Sequence, residues 1–285
     1  MTSVEGLLEI TNFDDRKMEI LKRSGYEIAR MRVKNSDNNY NYIVWCTGSL
    51  ECAVIDPIDA DVLLYFARSE GLTVKYIINT HTHPDHIVGN RAILKVTKAK
   101  ILVHKKGQKS VSSRSVSVDD GSVIDIGKQK IRVIHTPGHC SEHISLILGE
   151  HIFVGDTLFL AGCGNTKYGG NLDELYETIA IKLRTLPENL IILPGHDYSE
   201  KNLRFSLSIE PRNEATRLKL EEVKSFYSRG MEPMPTTIGE EKRYNTFFRF
   251  DLVELIEELK NRKPSLVNDP RAIFKELREM RNNWN

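Results

Sequence analysis

Four side chains that can bind a transition metal are packed into one short segment of this 285-residue chain. The sequence T-H-T-H-P-D-H contains His81, His83, Asp85 and His86. Imidazole nitrogens and carboxylate oxygens are ligands that zinc, iron and manganese take in proteins. An apolar stretch at 74–79 precedes the cluster and predicts a buried strand that ends there. An ordinary polar surface turn is not expected to place four potential metal ligands directly after a buried strand. The segment therefore predicts a metal site.

Three more metal-competent side chains follow predicted strands elsewhere in the chain. Each comes after a short apolar run and a turn that contains glycine or proline, and they are His139, Asp156 and His196. With the first cluster they make seven candidate ligands, which is more than one ion with a bound water requires. Two ions are therefore predicted. A carboxylate can bridge two cations through separate oxygens, which favours Asp156 as the bridging ligand.

Two adjacent divalent ions predict hydrolysis without a protein nucleophile. Such ions acidify a shared water and polarise a carbonyl oxygen near neutral pH. The chain has no G-x-S-x-G motif, and Cys140 is interpreted as a packed residue rather than a catalytic thiol. For His143 two interpretations stay open, a structural role or a hydrogen bond that orients a ligand. The histidines interpreted as structural are His104, His135 and His151.

The composition predicts a soluble, cytoplasmic protein. A net charge of +1 gives no general electrostatic basis for binding nucleic acid, and no apolar run reaches the ~18 residues of a membrane span. The first seventeen residues include several acidic ones and no sustained apolar stretch, so no targeting segment is predicted. Four cysteines without a C-x-x-C pair fit a reducing compartment. A monomer is expected, with no nucleic-acid or membrane partner.

The hydrophobic pattern predicts a mixed α/β region at 1–197 and a helical region at 198–285. Residues 105–117 are predicted to form an exposed loop, and the amphipathic segment near Met18 an edge element or a helical cap. Alternating runs predict strands, several of them consecutive and antiparallel, at 27–33, 41–46, 51–56, 74–79, 100–104, 123–126, 130–135, 144–148, 151–154 and 190–193. Helical periodicity and caps predict helices at 60–70, 90–97, 173–186, 199–209, 213–229, 252–262 and 271–282.

Longer motifs around the candidate ligands resemble a known superfamily. H-x-H-x-D-H at 81–86, with the later ligands, is similar to the signature of the metallo-β-lactamase superfamily. Within it the chain most resembles glyoxalase II, the hydroxyacylglutathione hydrolase family. That resemblance is carried by G-D-T-L-F-L-A-G-C-G at 155–164, P-G-H-D-Y at 194–198, N-L-R-F-S-L-S-I-E-P-R-N at 202–213 and P-T-T-I-G-E-E-K-R-Y-N at 235–245.

The resemblance implies an α/β fold class with two domains. Residues 1–197 would form an αββα metallo-β-lactamase sandwich that carries a dinuclear metal site. Residues 198–285 would form a small all-α C-terminal domain that binds glutathione. Two divalent ions per chain are implied, with zinc as the first expectation, and iron and manganese suit the same ligands.

The resemblance also implies how the ligands divide between the ions. One ion would be held by His81, His83 and His139, the other by Asp85, His86 and His196, with Asp156 as the bridge. Asp85 and Asp156 are the implied catalytic residues, and Asp85 would also orient the attacking hydroxide.

Glutathione contacts are implied for Tyr168, Tyr198, Arg278 and Arg281. The two arginines are three residues apart on a predicted helix and share a face, which suits a carboxylate, although a solvated basic face is the alternative. The family pattern has lysine near positions 165–166, where this chain has asparagine and threonine, and the loop is one residue longer. This departure leaves the preferred thiol carrier open.

The implied reaction is hydrolysis of an S-2-hydroxyacylglutathione, such as S-D-lactoylglutathione, to glutathione and a 2-hydroxy acid. A hydroxide that bridges the two ions would attack the thioester carbonyl. The alternative is an iron-dependent persulfide dioxygenase that acts on glutathione persulfide. The helical region after 198 and the G-E-E-K-R-Y-N motif argue against that alternative. A binding module without turnover has little support, because no ligand is missing.

Overall fold

A computed structural model describes residues 8–13, 16–111 and 115–284. The chain forms two compact units, and each unit combines separate stretches of sequence. Unit 1 comprises residues 1–135 and 142–149, and unit 2 comprises residues 136–141 and 150–285. The division at residue 197 predicted from the sequence is a different one, and it stays a prediction.

Unit 1 contains a sheet of eight strands that lie in chain order. They are β1 (Leu8–Phe13), β2 (Arg16–Arg23), β3 (Tyr26–Arg32), β4 (Tyr40–Cys46), β5 (Glu51–Ile55), β6 (Thr73–Ile78), β7 (Lys100–His104) and β8 (Val116–Val118). Strands β1 to β5 pair antiparallel, an arrangement that the alternating pattern predicted for β3 to β5 only. Strands β5 to β8 pair parallel, which requires crossover connections. The helices in these connections are α1 (Ala60–Ser69), α2 (Pro84–Ile87), α3 (Asn90–Val96) and α4 (Gln108–Val111).

The core of unit 1 lies between this sheet and α1. Trp45 of β4 meets Phe66 of α1 edge to face, with ring centroids 5.8 Å apart. Ile77, near the end of β6, is fully buried in the same apolar cluster. Asp59 caps the start of α1, because its side chain accepts a hydrogen bond from the backbone N–H of Val62. The strand that leads to the first ligand cluster is therefore anchored in the core.

Three further strands of unit 1 form antiparallel pairs: β9 (Val123–Ile126), β10 (Gln129–His135) and β11 (Ile144–Leu148). β9 and β10 are joined in a hairpin. Gly127 in its turn has φ +58°, and a Cβ there would lie 2.1 Å from Ser49 Oγ. Both the backbone conformation and the lack of space require glycine at this position.

Unit 2 contains four short strands and most of the helices. The strands are β12 (His151–Gly155), β13 (Leu158–Phe159), β14 (Gly162–Cys163) and β15 (Ile191–Pro194). β12 and β15 are parallel, and β13 and β14 form a hairpin. The helices are α5 (Leu172–Glu177), which continues into a π-helical segment Thr178–Leu183, α6 (Ser199–Ile209), α7 (Glu214–Ser228), α8 (Ile238–Tyr244), α9 (Val253–Arg262) and α10 (Pro270–Asn283). Across the described residues, no helix has both the length and the apolar composition needed to cross a membrane.

Three local expectations differ from the structure. The predicted loop at 105–117 is wrong in part, because its described residues include α4 and β8, and β8 pairs with β7 through backbone bonds that need no apolar pattern. The segment near Met18 forms β2, which lies between β1 and β3 and is therefore not an edge strand. Helix α8 was not predicted, although its capping box, Thr237 with Glu240, is visible in the sequence T-I-G-E.

Candidate metal centre

The first ligand cluster lies where the chain leaves β6 and enters α2. His81 is fully buried, and α2 begins directly after His83, with Pro84 at its first position. Proline suits that position, because its φ is helical and the first backbone nitrogens of a helix have no intrahelical partner. The turn therefore places His81 and His83 before the helix, and Asp85 and His86 on it.

The nitrogens of His81 and His83 face each other as two ligands of one ion would. His81 Nε2 lies 3.1 Å from His83 Nδ1. Two nitrogens at about 2.05 Å from a tetrahedral zinc ion would be separated by roughly 3.3 Å. The spacing of this pair, which lies within unit 1, fits an ion between them.

Asp56 orients two of the buried histidines. Its Oδ1 accepts the backbone N–H of Thr80 at 2.7 Å, and its Oδ2 accepts the Thr80 hydroxyl at 2.6 Å. The Oδ2 atom also lies 3.0 Å from His86 Nδ1, and Thr80 Oγ1 lies 3.0 Å from His81 Nδ1. In the tautomer that satisfies these bonds each Nδ1 carries the proton, and each Nε2 keeps a lone pair for a metal.

Asp56 itself is better described as a positioning residue than as a metal ligand. One ligand atom from each of Asp56, His81 and His86 lies within 4.8 Å of the others, which makes the three a possible metal group. However, both carboxylate oxygens of Asp56 already accept hydrogen bonds within unit 1. Its φ is +47°, an uncommon conformation for a residue with a side chain. The sequence signal was present, since Asp56 directly follows the apolar strand β5, as the predicted ligands follow theirs.

Asp85 is half-buried, and its carboxylate is held by an amide. Asp85 Oδ2 lies 3.6 Å from His86 Nε2, a spacing that two ligands of one ion can adopt. Asn39 Nδ2 donates to the same Oδ2 at 3.2 Å. His86 is supported independently, because its backbone carbonyl accepts a bond from Asn79 Nδ2 at 2.9 Å.

Unit 2 brings the three later candidates together. The parallel pairing of β12 with β15 sets Gly155 opposite Pro194, and Asp156 and His196 follow these two positions. His196 Nε2 lies 3.1 Å from Asp156 Oδ2, and His139 Nε2 lies 3.7 Å from the same oxygen. One carboxylate oxygen therefore faces the metal-binding nitrogens of two histidines.

The loop that carries His139 is held by backbone contacts. His139 Nδ1 donates to the carbonyl of Asn165 at 2.7 Å, which leaves Nε2 available. Gly138 has φ +135°, and a Cβ on it would lie 2.3 Å from Leu175 Cα. A Cβ on Gly164 would lie 2.1 Å from the Asp156 carbonyl oxygen. Gly138 therefore lets the His139 loop pack closely on α5, and Gly164 lets its own backbone pack closely on that of Asp156.

Tyr198 connects a candidate ligand with a neighbouring cavity of unit 2. Its hydroxyl lies 3.2 Å from His196 Nδ1, and the two rings stack with centroids 5.1 Å apart. The cavity has a volume of about 170 Å³. It is lined by Phe159, Cys163, Asn165, Lys167, Tyr198, Asn202, Arg278, Arg281 and Asn282.

The cavity lining is cationic, with three basic residues and no carboxylate. Arg278 is buried, and its Nη1 donates to the carbonyls of Cys163 and Gly164 at 2.8 and 3.2 Å. Arg281 donates to Asn202 Oδ1 at 3.1 Å. Burial, and then the charge of Arg278, lower the pKa of Arg281 from its usual value. Two guanidinium groups held close together in a cavity favour an anionic ligand.

The predicted glutathione residues do not all reach this cavity. Tyr198, Arg278 and Arg281 line it, whereas Tyr168 is 71% exposed and is not among the lining residues. Lys167, which sequence reasoning did not single out, does line it. The lysine expected near positions 165–166 is thus present one residue later, in keeping with the longer loop. The roles of all four predicted residues stay predictions.

Histidines and cysteines outside the candidate ligand set are buried or packed against other side chains. His104 stacks on His135 at 4.2 Å and lies 3.2 Å from Asp119, while burial and then His135 lower the pKa of His104. His143 is buried with its ring 5.1 Å from that of His81, and a role in orienting that ligand stays a prediction. All four cysteines, Cys140 included, are buried and form no disulfide.

Comparison with known proteins identifies the family. The model of the metallo-beta-lactamase superfamily matches residues 37–196, and the model of the hydroxyacylglutathione hydrolase C-terminus matches residues 197–284. The hydroxyacylglutathione hydrolase of Polaromonas sp. (strain JS666) is 38% identical over 263 residues, which are 90% of this chain and 99% of the relative. This chain belongs to the hydroxyacylglutathione hydrolase family. The hydroxyacylglutathione hydrolase of Nitrosococcus oceani is 39% identical over 266 residues, with the same coverage of both chains.

A solved structure supports the same fold. ETHE1 from Myxococcus xanthus matches with a TM-score of 0.61 and 26% identity, over 90% of this chain and 99% of that one. The predicted fold class is confirmed: the chain has the metallo-β-lactamase fold, followed by the C-terminal helical region of the hydroxyacylglutathione hydrolase family. The histidine and aspartate groups described above are able to bind metal ions.

Proposed function

We propose that this chain is a metal-dependent hydrolase of S-2-hydroxyacylglutathione thioesters, with S-D-lactoylglutathione as the representative substrate. The observation that carries the proposal is the double contact of Tyr198. Its hydroxyl lies 3.2 Å from Nδ1 of the candidate ligand His196, and the residue lines the cationic cavity. A substrate anchored in that cavity through carboxylates would lie beside a metal-binding side chain. Membership of the hydroxyacylglutathione hydrolase family supports the same substrate class.

The proposed cofactors are two divalent ions per chain. Their ligands would be divided as the family resemblance implies, with His81, His83 and His139 on one ion, Asp85, His86 and His196 on the other, and Asp156 shared. The donors fit this role, since the His81–His83 spacing suits one ion and Asp156 Oδ2 faces two Nε2 atoms. Zinc is proposed first, and the nitrogen and oxygen donors also suit iron or manganese.

The residues of the chain would orient the substrate and the attacking water. When bound, divalent ions polarise a thioester carbonyl and lower the pKa of a bound water. Arg278, Arg281 and Lys167 would bind the carboxylates of the glutathione moiety by charge-assisted hydrogen bonds. Asp85 would hold the attacking water in line with the carbonyl carbon. The hydroxyl of Tyr198 would fix the tautomer of His196, and Asp56 would fix those of His81 and His86.

The direct test is hydrolysis by the purified, zinc-loaded chain. We expect cleavage of S-D-lactoylglutathione, followed as loss of thioester absorbance and as release of glutathione. An acyl thioester of a small neutral thiol is the matched control, because it has the same reacting group without the carboxylates. Faster turnover of the control than of the glutathione thioester would contradict the substrate class and leave the hydrolytic chemistry in place.

The persulfide dioxygenase alternative has no observation that favours it over hydrolysis. The family match at 197–284 is to the C-terminus of hydroxyacylglutathione hydrolases. Oxygen uptake by the iron-loaded chain with glutathione persulfide would favour the alternative. The proposal also keeps the remaining expectations, a cytoplasmic monomer without nucleic-acid or membrane partners, and a domain boundary between 197 and 198.

A further inference from the structure

We propose that Asn39 is a positioning residue that holds the Asp85 carboxylate in the orientation needed to bind its metal ion. The inference rests on the proposed function, in which Asp85 and His86 belong to the same ion. Asn39 lies at the end of the loop before β4. Its side chain is fully buried.

The Asn39 amide contacts Asp85 twice. Nδ2 donates to Asp85 Oδ2 at 3.2 Å and to the Asp85 backbone carbonyl at 3.4 Å. An amide nitrogen has two hydrogens, so one group can serve both acceptors. Asn39 therefore restrains the carboxylate relative to the main chain of the same residue.

The direction of the Asn39 amide is fixed by Asn35. The Asn39 backbone N–H donates to Asn35 Oδ1 at 3.3 Å, so the Asn35 amide must direct its Nδ2 elsewhere. That Nδ2 donates to Asn39 Oδ1 at 2.7 Å. With its oxygen used in this way, Asn39 presents nitrogen, and not oxygen, to the negatively charged carboxylate.

The loop that carries Asn39 is itself closed by backbone bonds. The Val33 N–H donates to the Asn39 carbonyl at 2.8 Å, and the Asn35 N–H to the Val33 carbonyl at 2.9 Å. Asn38 has φ +55°, a conformation that asparagine tolerates better than most residues. The donor is thus presented by a closed turn rather than by a free side chain.

Asp85 needs such a restraint more than its neighbour does. The side chain of Asp85 is 37% exposed, whereas that of His86 is 1% exposed. The terminal torsion of an aspartate is broad, so a carboxylate open to water has little intrinsic preference for one direction. His86 already has Asp56 and Asn79 as partners. Loss of the Asn39 amide should therefore weaken the ion that Asp85 holds and leave the other ion bound.

The test is a stepwise zinc titration of the full chain against a competing chelator. We expect Asn39→Ala to bind one of the two ions like the wild type and the other at least about tenfold more weakly, the effect typical of losing a group that orients a ligand. Asn35→Ala should weaken the same ion by a smaller factor. Asn41→Ala is the matched control, because Asn41 is equally buried but accepts a bond from the Ile58 N–H.

The outcomes separate the inference from the proposed function. Unfolding curves of the metal-free variants report any general loss of stability, which Asn39→Ala and Asn41→Ala should share. If Asn39→Ala binds both ions like the wild type, or if Asn41→Ala weakens one ion equally, the positioning role is wrong and the proposed hydrolase function is unaffected. A wild-type chain that binds only one ion would contradict the dinuclear centre and the role of Asn39 with it.

Discussion

The two units hold their candidate ligands by different means. In unit 1 the ligands are oriented by other side chains, with Asp56 bonded to Thr80 and His86, and Asn39 bonded to Asp85. In unit 2, His139 is oriented by a backbone carbonyl, in a loop whose glycines leave no room for a Cβ. Tyr198 beside His196 is the exception in unit 2.

This difference predicts different sensitivities to mutation. A ligand oriented by a buried carboxylate loses its orientation when that one side chain is removed. A ligand oriented by main-chain packing tolerates changes of nearby side chains but not an added methyl group at a close backbone approach. Matched substitutions in the two units therefore test whether their ligands are held by different means.

The largest effect is expected for Gly138→Ala in unit 2. The new Cβ would lie 2.3 Å from Leu175 Cα, at a φ of +135° that alanine rarely adopts. Overpacking and backbone strain together should cost about 4 kcal/mol of unfolding free energy, measured by urea denaturation. Gly169→Ala is the control, since its φ is also positive but no atom lies within 4 Å of the new Cβ. Equal losses in the two variants would show that close packing does not fix this loop.

Asp56→Ala tests the side-chain support of unit 1. It leaves the buried Thr80 N–H and hydroxyl and the His86 imidazole without their acceptor, which should cost about 3 kcal/mol of stability. Zinc affinity should fall by about 10- to 100-fold in the same protein. Asp59→Ala, which removes only the cap of α1, should cost about 1 kcal/mol and leave zinc binding unchanged. Unaltered zinc affinity in Asp56→Ala would contradict the orienting role.

Glu241 in unit 2 has a side chain that binds a backbone N–H, and its raised pKa predicts that the stability of the fold depends on pH. Its Oε2 accepts the Ala161 N–H at 2.9 Å in the turn between β13 and β14, and burial raises its pKa from 4.5 to about 7. A raised carboxyl pKa stabilises the fold fully below pH 4.5, and this contribution is lost as the pH rises through 7. Between pH 5 and pH 8 the wild type should therefore lose about 2 kcal/mol of unfolding free energy that Glu241→Gln does not lose, measured by urea unfolding. A difference that does not depend on pH would refute this assignment.

The smallest effect is expected for Arg281→Ala, which should alter substrate binding and not the metal ligands. Loss of one charge-assisted hydrogen bond should raise KM for S-D-lactoylglutathione by about tenfold, with zinc content unchanged. Arg204→Ala is the control, because Arg204 is exposed and pairs with Glu200 on α6. If KM stays the same and kcat falls instead, the arginine acts on the reacting groups and not on the carrier.

The sequence predicted the strands that end at candidate ligands, because alternating or continuous apolar runs interrupted by glycine and proline are local signals. Asp56 was missed although it follows an apolar strand as the predicted ligands do. Asn39 has no such local signal, because its role comes from a contact with Asp85, 46 positions away. Lys167 was missed for a related reason, because a loop one residue longer shifts which side chain reaches the cavity. Arg278 and Arg281 were predicted from the family resemblance, and their spacing placed them on one helix face. The carbonyl partners of Arg278 could not be predicted, because they depend on the β13–β14 hairpin.

The central claim is that two divalent ions serve thioester hydrolysis in this chain. It is tested most directly by elemental analysis of the purified protein, combined with turnover of S-D-lactoylglutathione before and after chelation. The account predicts two ions per chain, loss of hydrolysis when they are removed, and recovery when zinc is restored. Full hydrolytic activity in protein that contains one ion or none would contradict it.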